Sequence, residues 1–342
     1  MRVFVSYKKL INSRLEKITK DIVSESSEHG GSNGRLLAEE FTAQLNGGGK
    51  RLRGALLMFS YEASGGRDSE LALQVACAIE MMHAYILMVD DIQDRSAVRH
   101  GQATSHVRLS KELGDEYIGM SIAINAALYG MHQAEKLLTS SGVSQNIIEY
   151  INDTMITTAY GQTADVLNDT RGDVSYNDVL AVADAKTARY SFENPLAVGI
   201  LLAGKEVPGA IKGLARHIGR AFQTTDDMLG MFGDEQVTGK SPLDDIREGK
   251  RTLLSIYALE NLVGQKKLEF KELLGKKDIT EKEFKKAQVL VKKSGAVEFV
   301  KNAANKEAEA AKKALKKMDT LWSGEAVATL SDLVDSIIVR SK

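Results

Sequence analysis

Residues 70–94 of this 342-residue chain read ELALQVACAIEMMHAYILMVDDIQD. Apolar side chains would cover most faces of a helix built from this run, which is typical of a buried central helix rather than a surface helix. The run closes with Asp90, Asp91 and Asp94, so carboxylates lie at the end of the most apolar helix of the protein. The segment therefore predicts both a core element and a candidate site.

The rest of the chain has the same helical character. Apolar residues recur at spacings of three and four, strict alternation is nearly absent, and the prolines Pro195, Pro208 and Pro242 leave the first 194 residues without a helix breaker. We predict a single all-α domain spanning 1–342, with loops at 24–34 and 233–250. The predicted helices lie near 50–63, 70–94, 115–140, 144–168, 175–204 and 209–234.

Composition narrows the class of protein. The chain has 45 basic and 46 acidic residues, and a net charge of -1 gives no electrostatic reason to expect nucleic acid or an anionic membrane as a partner. The sole cysteine, Cys77, excludes an intramolecular disulfide. No continuous apolar run approaches the roughly 18 residues of a spanning helix, and Lys8 and Lys9 come too early for a secretory signal. We expect a soluble, cytoplasmic protein without a membrane span.

Two acidic clusters suggest a metal. Asp90 and Asp94 are four residues apart and share one face of a helix, where like charges are costly unless a cation lies between them. Asp226 and Asp227 repeat the pattern after another helical run. Oxygen ligands favour a hard cation such as Mg²⁺, whose remaining ligands are commonly waters and phosphate oxygens. A phosphorylated substrate is the expected third component, although solvated helix ends would give the same pattern.

Basic residues accompany these acids. Glycines 47–49 precede Lys50 and Arg53, which are three apart and able to converge on an anion at a helix start. Taken alone, this pattern is also that of an ordinary basic helix start. His83 lies two helical turns before Asp90 on the same face, about 10 Å away, which favours a substrate contact or a core role over metal binding.

Together these motifs resemble the trans-isoprenyl diphosphate synthases, the geranylgeranyl and farnesyl diphosphate synthase family. The resemblance covers roughly residues 40–260, with the motifs in the family's order. They are Gly-Gly-Lys-Arg-Leu-Arg at 48–53, Glu80-Met81-Met82-His83, the acidic run 90–94, Arg99-His100-Gly101, Gly161-Gln162 with Asp165, Lys186-Thr187, Phe222-Gln223 with Asp226-Asp227, Gly239-Lys240, and Glu248-Gly249-Lys250-Arg251-Thr252.

The resemblance implies the all-α isoprenoid synthase fold around a deep cavity, and the condensation of isopentenyl diphosphate with dimethylallyl, geranyl or farnesyl diphosphate. Three magnesium ions would be bound by Asp90, Asp94 and Asp226. The implied catalytic residues are Asp90, Asp91, Asp94, Lys186, Asp226 and Asp227. The implied contacts to the allylic diphosphate are Arg99, Lys186, Thr187, Gln223, Lys240 and Lys250. Those to isopentenyl diphosphate are Lys50, Arg53, His83 and His100.

Two positions depart from the family pattern. Gly230 stands where the second motif has its third acid, and His100 stands where the family usually has an arginine, which removes a fixed charge and a bidentate donor. In this family, product length is set just before the first aspartate. Tyr85, with the smaller Ile86 beside it, resembles the pattern of synthases that make the C20 product geranylgeranyl diphosphate.

Other interpretations stay open from the sequence. The product could be farnesyl diphosphate or a longer chain. A class I terpene cyclase shares the implied fold, but it has no second diphosphate site. A non-catalytic subunit of a heteromeric synthase usually lacks aspartates of the first motif. Homodimerisation is implied by the resemblance alone.

Overall fold

The computed structural model describes residues 2–233 and 242–339. In this part of the chain the elements are helices apart from one two-stranded hairpin, so the predicted all-α class is confirmed. The elements are α1 (Arg2–Asn46), α2 (Leu52–Ala63), α3 (Ser69–Gln93), β1 (Val98–Arg99), β2 (Gln102–Ala103), α4 (Ser105–Leu113), α5 (Glu116–Ser140), α6 (Gln145–Thr170), α7 (Tyr176–Val182), a π-helix (Ala183–Glu193), α8 (Asn194–Leu202), α9 (Ala210–Phe232), α10 (Asp244–Glu248), α11 (Leu253–Asn261), α12 (Gly264–Leu273), α13 (Glu281–Lys293), α14 (Ala296–Leu315), a 3-10 turn (Lys316–Met318) and α15 (Gly324–Val339).

The chain divides into two compact units. The first unit comprises Met1–Ile151 and Pro195–Val207, and the second comprises Asn152–Asn194 and Pro208–Lys342. The first acidic cluster belongs to the first unit and the second acidic cluster to the second. The expectation of a single domain stays a prediction.

Helix α3 is the core helix of the first unit, as its apolar sequence predicts. The Asp68 carboxylate caps its start by accepting a hydrogen bond from the Glu70 amide at 3.0 Å. Helix α2 packs closely on it, because a Cβ at Gly54 would stand 3.2 Å from the Ala76 carbonyl oxygen. This close approach holds the start of α2, and the basic residues next to it, against the middle of α3.

The segment 24–34 corrects the sequence prediction. It is helical rather than a loop, and α1 departs from helical geometry there at Gly31, where φ is 56°. Ser26 is buried and its hydroxyl hydrogen-bonds that of Tyr129, while Glu25 pairs with Lys136 at 2.9 Å. Both partners lie on α5, so packing between helices overrides the low helix propensity of glycine and serine, which is what predicted a loop.

A π-helical segment shapes the second unit. Its residues Lys186 and Thr187 interrupt an otherwise apolar run. Helix α6 approaches it so closely that a Cβ at Gly161 would stand 2.6 Å from the Lys186 amide nitrogen, and a Cβ at Gly219 of α9 would stand 2.3 Å from the Ala188 Cα. Only glycine permits these contacts, which draw α6, the π-helix and α9 together around their polar residues.

The predicted loop 233–250 is partly helical. Asp244–Glu248 form α10, which ends at Gly249 with φ 79°, the left-handed conformation common after a helix. The buried Ile246 anchors this short helix, and its carbonyl accepts a hydrogen bond from the Gly275 amide at 2.7 Å. Residues 234–241 of the predicted loop lie outside the described residues.

Candidate active site

The first acidic cluster is organised by one arginine. The Arg99 Nε donates to both carboxylate oxygens of Asp91, at 2.7 and 2.9 Å, and its Nη2 lies 2.6 Å from Asp91 Oδ1. The same Nη2 reaches Asp90 Oδ2 at 3.3 Å. Asp91 is only 2% exposed, so its charge is balanced by a bidentate partner rather than by water. Asp94 caps the C-terminus of α3 and is also buried.

A tight hairpin positions Arg99. Strands β1 and β2 pair through Val98 and Ala103, and through Arg99 and Gln102. The two turn residues between them, His100 and Gly101, have φ values of 51° and 75°, and positive φ at both positions is what a type I′ hairpin turn requires. His100 is therefore held at the tip of the turn and is exposed, close in sequence to Arg99 but not buried with it.

The predicted basic cluster separates into surface and interior residues. Lys50 is exposed after Gly48 and Gly49, which have φ values of 116° and 108°, whereas Arg53 is partly buried on α2. Burial lowers the pKa of the His83 imidazole well below its usual value, and the positive charges of Arg53 and Arg99 add to this effect. His83 is therefore neutral near pH 7, although the negative charge of the nearby Asp90 acts in the opposite direction.

Arg51 and Glu80 form a buried pair that sequence reasoning did not assign. Arg51 is 9% exposed, and its guanidinium donates to the Leu45 carbonyl at 2.6 Å and to Asn12 at 2.9 Å. Its Nη1 lies 3.7 Å from the Glu80 carboxylate, which also accepts a hydrogen bond from the Gly54 amide at 2.8 Å. Both residues lie within motifs quoted above, and their contacts fix the start of α2.

The second acidic cluster is connected by a relay of side-chain hydrogen bonds. The Thr187 hydroxyl donates to Gln223 Oε1 at 2.7 Å, and Gln223 Nε2 donates to Asp227 Oδ1 at 2.9 Å. In the same unit, the Lys186 ammonium donates to Asp165 at 2.7 Å. Asp226, next to Asp227 on α9, is partly buried. The structure thus gives Asp165, which the sequence left without a role, a place beside Lys186.

Asp227 has the most strongly perturbed carboxyl of this cluster. Its side chain is 8% exposed, and burial raises the pKa of the carboxyl to about 8, even though the hydrogen bond from Gln223 opposes this. The negative charges of Asp245, Asp226 and Asp165 contribute to the same rise in the pKa. Asp245 is a residue that the sequence did not single out, because it comes close to Asp227 only through the fold.

The carboxylate oxygens of the two clusters are suitable ligands for a hard cation. Both clusters present carboxylate oxygens, and Asp227 is a buried carboxyl among other carboxylates, an arrangement that a divalent cation would relieve. Within residues 2–233 and 242–339, no three acidic, histidine or cysteine side chains converge as a finished metal site.

The remaining predicted residues have the following places. Tyr85 is partly buried on α3, and burial together with the charge of Glu135 on α5 raises the pKa of its hydroxyl to about 12. Ile86 beside it is also partly buried. The Lys250 ammonium lies 3.4 Å from the Glu248 carboxylate. Lys240 lies outside the described residues.

Helix α3 is also long and apolar enough to cross a membrane, judged by length and composition alone. The sequence did not predict this, because charged residues interrupt its apolar run. Most of the apolar stretch, 61%, is buried inside the protein, and the core helix of a soluble protein meets the same criteria. The finding is weak support for a membrane span, and it agrees with the role of α3 as the core of its unit.

Comparison with known proteins identifies the family. The profile of the family described as Polyprenyl synthetase matches residues 35–291. The chain is 31% identical to geranylfarnesyl diphosphate synthase of Aeropyrum pernix over 303 residues, 87% of this chain and 92% of that protein. It is also 31% identical to geranylgeranyl diphosphate synthase of Saccharolobus solfataricus over 269 residues, 77% of this chain and 78% of that protein.

A solved structure agrees with these relatives. Geranylgeranyl pyrophosphate synthase from Corynebacterium glutamicum, complexed with isoprenyl diphosphate and magnesium, has a TM-score of 0.88 to this chain at 26% identity, covering 98% of each chain. The sequence resemblance is thereby confirmed. The chain belongs to the polyprenyl synthetase family and is an isoprenyl diphosphate synthase, an enzyme that transfers prenyl groups.

Proposed function

We propose that this enzyme condenses isopentenyl diphosphate with an allylic diphosphate and releases inorganic diphosphate. The observation that carries the proposal is the second acidic cluster, where a buried Asp227 lies among carboxylates and is connected to the Thr187–Gln223 pair. A cluster of this kind suits a cation with a bound polyphosphate better than it suits an apolar core.

The allylic diphosphate is assigned to the cations that lie beside the two acidic clusters. Arg99 and Lys186 neutralise Asp91 and Asp165 in this structure, and each would turn part of its hydrogen bonding to phosphate oxygens when substrate enters. Thr187 and Gln223 offer polar contacts, and Lys250 offers a further cation. Lys240 is assigned by the family motif alone.

Magnesium is assigned to Asp90, Asp94 and Asp226, with Asp91 and Asp227 beside them. Bound there, it would neutralise charge on the departing diphosphate. The protein's own part is to hold the carboxylates in place: Arg99 orients Asp90 and Asp91, and Gln223 orients Asp227. Such orientation before the reaction is a major source of electrostatic catalysis.

Isopentenyl diphosphate is assigned to Lys50, Arg53, His83 and His100. Because His83 is neutral, it would donate one hydrogen bond to a phosphate oxygen rather than contribute a charge. The charge comes from Lys50 and Arg53. With both substrates held, the allylic C–O bond breaks, the alkene of isopentenyl diphosphate attacks the allylic carbocation, and a proton is lost to the released diphosphate.

The proposed main product is geranylgeranyl diphosphate. Tyr85, partly buried on α3, is proposed as the floor that stops elongation at C20, with Ile86 next to it. The two relatives named above make products of different length by their names, so membership of the family does not by itself fix the length. Farnesyl diphosphate and longer products are the alternatives for the same chemistry.

We further propose a cytoplasmic homodimer. Helix α5 presents Tyr117, Ile124 and Leu128 to solvent at spacings of seven and four, an apolar stripe along one face. Helix α6 has its own exposed apolar residues, Ile156, Tyr160 and Leu167. Sedimentation at micromolar concentration should give twice the 37.3 kDa mass of the chain, and a monomer at that concentration would contradict this assignment.

A product assay tests the proposed function. Purified protein with Mg²⁺ and labelled isopentenyl diphosphate is incubated in parallel with dimethylallyl, geranyl or farnesyl diphosphate, and the prenyl chains are separated by length. A C20 product from each starter is expected. A C15 or longer product would retain the condensation and dismiss the length assignment, and a protein inert in every tube would refute the function.

A further inference from the structure

Gly230 lies directly against a carboxylate of another helix. It lies within α9, four residues after Asp226 and therefore on the same helix face. A Cβ built on Gly230 would stand 2.1 Å from Asp245 Oδ2 and 3.1 Å from its carboxyl carbon. The carboxylate of Asp245 thus lies where the side chain of residue 230 would begin. Another helical glycine of α9, Gly213, has open space around the same position.

The position of Asp245 is fixed by the fold. It belongs to α10, which is anchored by the buried Ile246 and by the hydrogen bond from the Gly275 amide to the Ile246 carbonyl. The Asp245 carbonyl accepts a hydrogen bond from the Lys250 amide at 2.9 Å, so the same short turn carries a proposed phosphate contact. The adjacent Asp244 differs, because it pairs with Arg247 at 2.7 Å within α10.

We propose that Asp245 supplies, from α10, the third carboxylate that the second acidic cluster lacks at position 230, and that Gly230 is required so that this carboxylate fits. Asp245 then adds its negative charge to that of Asp226 and Asp227 at the cation of the reaction; in the metal-free protein these three carboxylates do not form a ready-made metal site. This inference rests on the proposed function and adds a residue to its site. It also explains why the acid missing from the motif need not weaken the site.

A reciprocal exchange of the carboxylate tests the inference. Asp245→Asn and Asp245→Ala remove the charge, and Gly230→Ala retains every carboxylate but displaces that of Asp245. The double variant Gly230→Asp/Asp245→Ala returns one carboxylate to the same region from α9. Asp244→Asn and Gly213→Ala are the matched controls. The readout is the binding of Mn²⁺ in the presence of inorganic diphosphate. Binding is measured as the loss of the electron paramagnetic resonance signal of free Mn²⁺.

The three single variants at Asp245 and Gly230 are expected to weaken Mn²⁺ binding about tenfold, the lower end of the range for residues that support a metal site. The double variant should recover to within about threefold of wild type, and both controls should bind normally. Normal Mn²⁺ binding by Asp245→Asn would overturn the inference, and so would a double variant that binds no better than Asp245→Ala. The proposed function would stand in either case if the wild-type protein condensed its substrates. A wild-type protein that neither bound Mn²⁺ with diphosphate nor condensed substrates would refute both.

Discussion

Replacing Asp227 with asparagine should inactivate the enzyme and stabilise the metal-free protein. Asparagine matches the shape of aspartate and retains an oxygen that can accept the Gln223 hydrogen bond, which spans 2.9 Å in the wild-type protein. The substitution therefore removes the charge and retains this hydrogen bond, with an NH2 group in place of the second oxygen. Burial and three neighbouring carboxylates raise the pKa of Asp227 from 3.8 to about 8 in the folded protein.

Proton linkage determines whether the Asp227 carboxyl stabilises or destabilises the folded protein as the pH rises. A carboxyl whose pKa is higher when folded binds its proton more tightly in the folded state, so its stabilising contribution is complete below pH 3.8 and is lost as the pH rises to about 8. At about 1.36 kcal/mol per pKa unit, the loss is about 2 kcal/mol at pH 5.5 and between 5 and 6 kcal/mol, roughly, at pH 8.5. Asp227→Asn does not have this loss of stability, because asparagine has no carboxyl to titrate.

The assay is urea unfolding in the presence of EDTA, at pH 5.5 and pH 8.5, for wild type and Asp227→Asn. The exposed Asp332 of α15 provides the control variant Asp332→Asn, which should follow wild type at both pH values. Asp227→Asn should be more stable than wild type, by a margin that grows by about 3 kcal/mol between the two pH values. A margin independent of pH, or a variant less stable than wild type at pH 8.5, would refute the reasoning.

Three further results are expected. Tyr85→Ala should lengthen the product, because it opens the proposed floor beside Ile86, whereas Tyr85→Phe should leave the length unchanged; an unchanged product from the alanine variant in the chain-length assay would dismiss Tyr85. His100→Arg should lower the KM for isopentenyl diphosphate at pH 8, because it restores a permanent charge, and an unaltered KM would count against this binding role. Arg51→Ala should destabilise the protein by about 3 kcal/mol in urea unfolding, since it leaves the buried Glu80 without its guanidinium partner; a loss below about 0.5 kcal/mol, the usual limit for a surface substitution, would contradict a structural role.

The helices were predictable because apolar periodicity reports directly on burial. The ends of α5, predicted near 115–140, lie at Glu116 and Ser140, and those of α9, predicted near 209–234, at Ala210 and Phe232. The segment 24–34 was predicted wrongly because its composition is that of a loop, whereas its contacts with α5 are made to residues about a hundred positions away. Local propensity carries no information on such packing.

The site was predictable to the extent that its residues lie in short motifs. Lys186, Thr187, Gln223 and Asp227 were named as candidates in this way, and the structure joins the last three by hydrogen bonds; their roles stay predictions. Asp245 was not named, because its significance comes from the space that Gly230 leaves open. A motif records which residues are present, and only the fold shows which other residue fills a position that the motif leaves vacant.

The dependence of diphosphate release on isopentenyl diphosphate tests the condensation most directly. Released diphosphate and incorporated label are measured together, with geranyl diphosphate and Mg²⁺, in the presence and absence of isopentenyl diphosphate. One diphosphate should be released for each isopentenyl unit incorporated, and little should be released without isopentenyl diphosphate. Equal release from geranyl diphosphate alone, with no label incorporated, would contradict a condensing enzyme and indicate a cyclase.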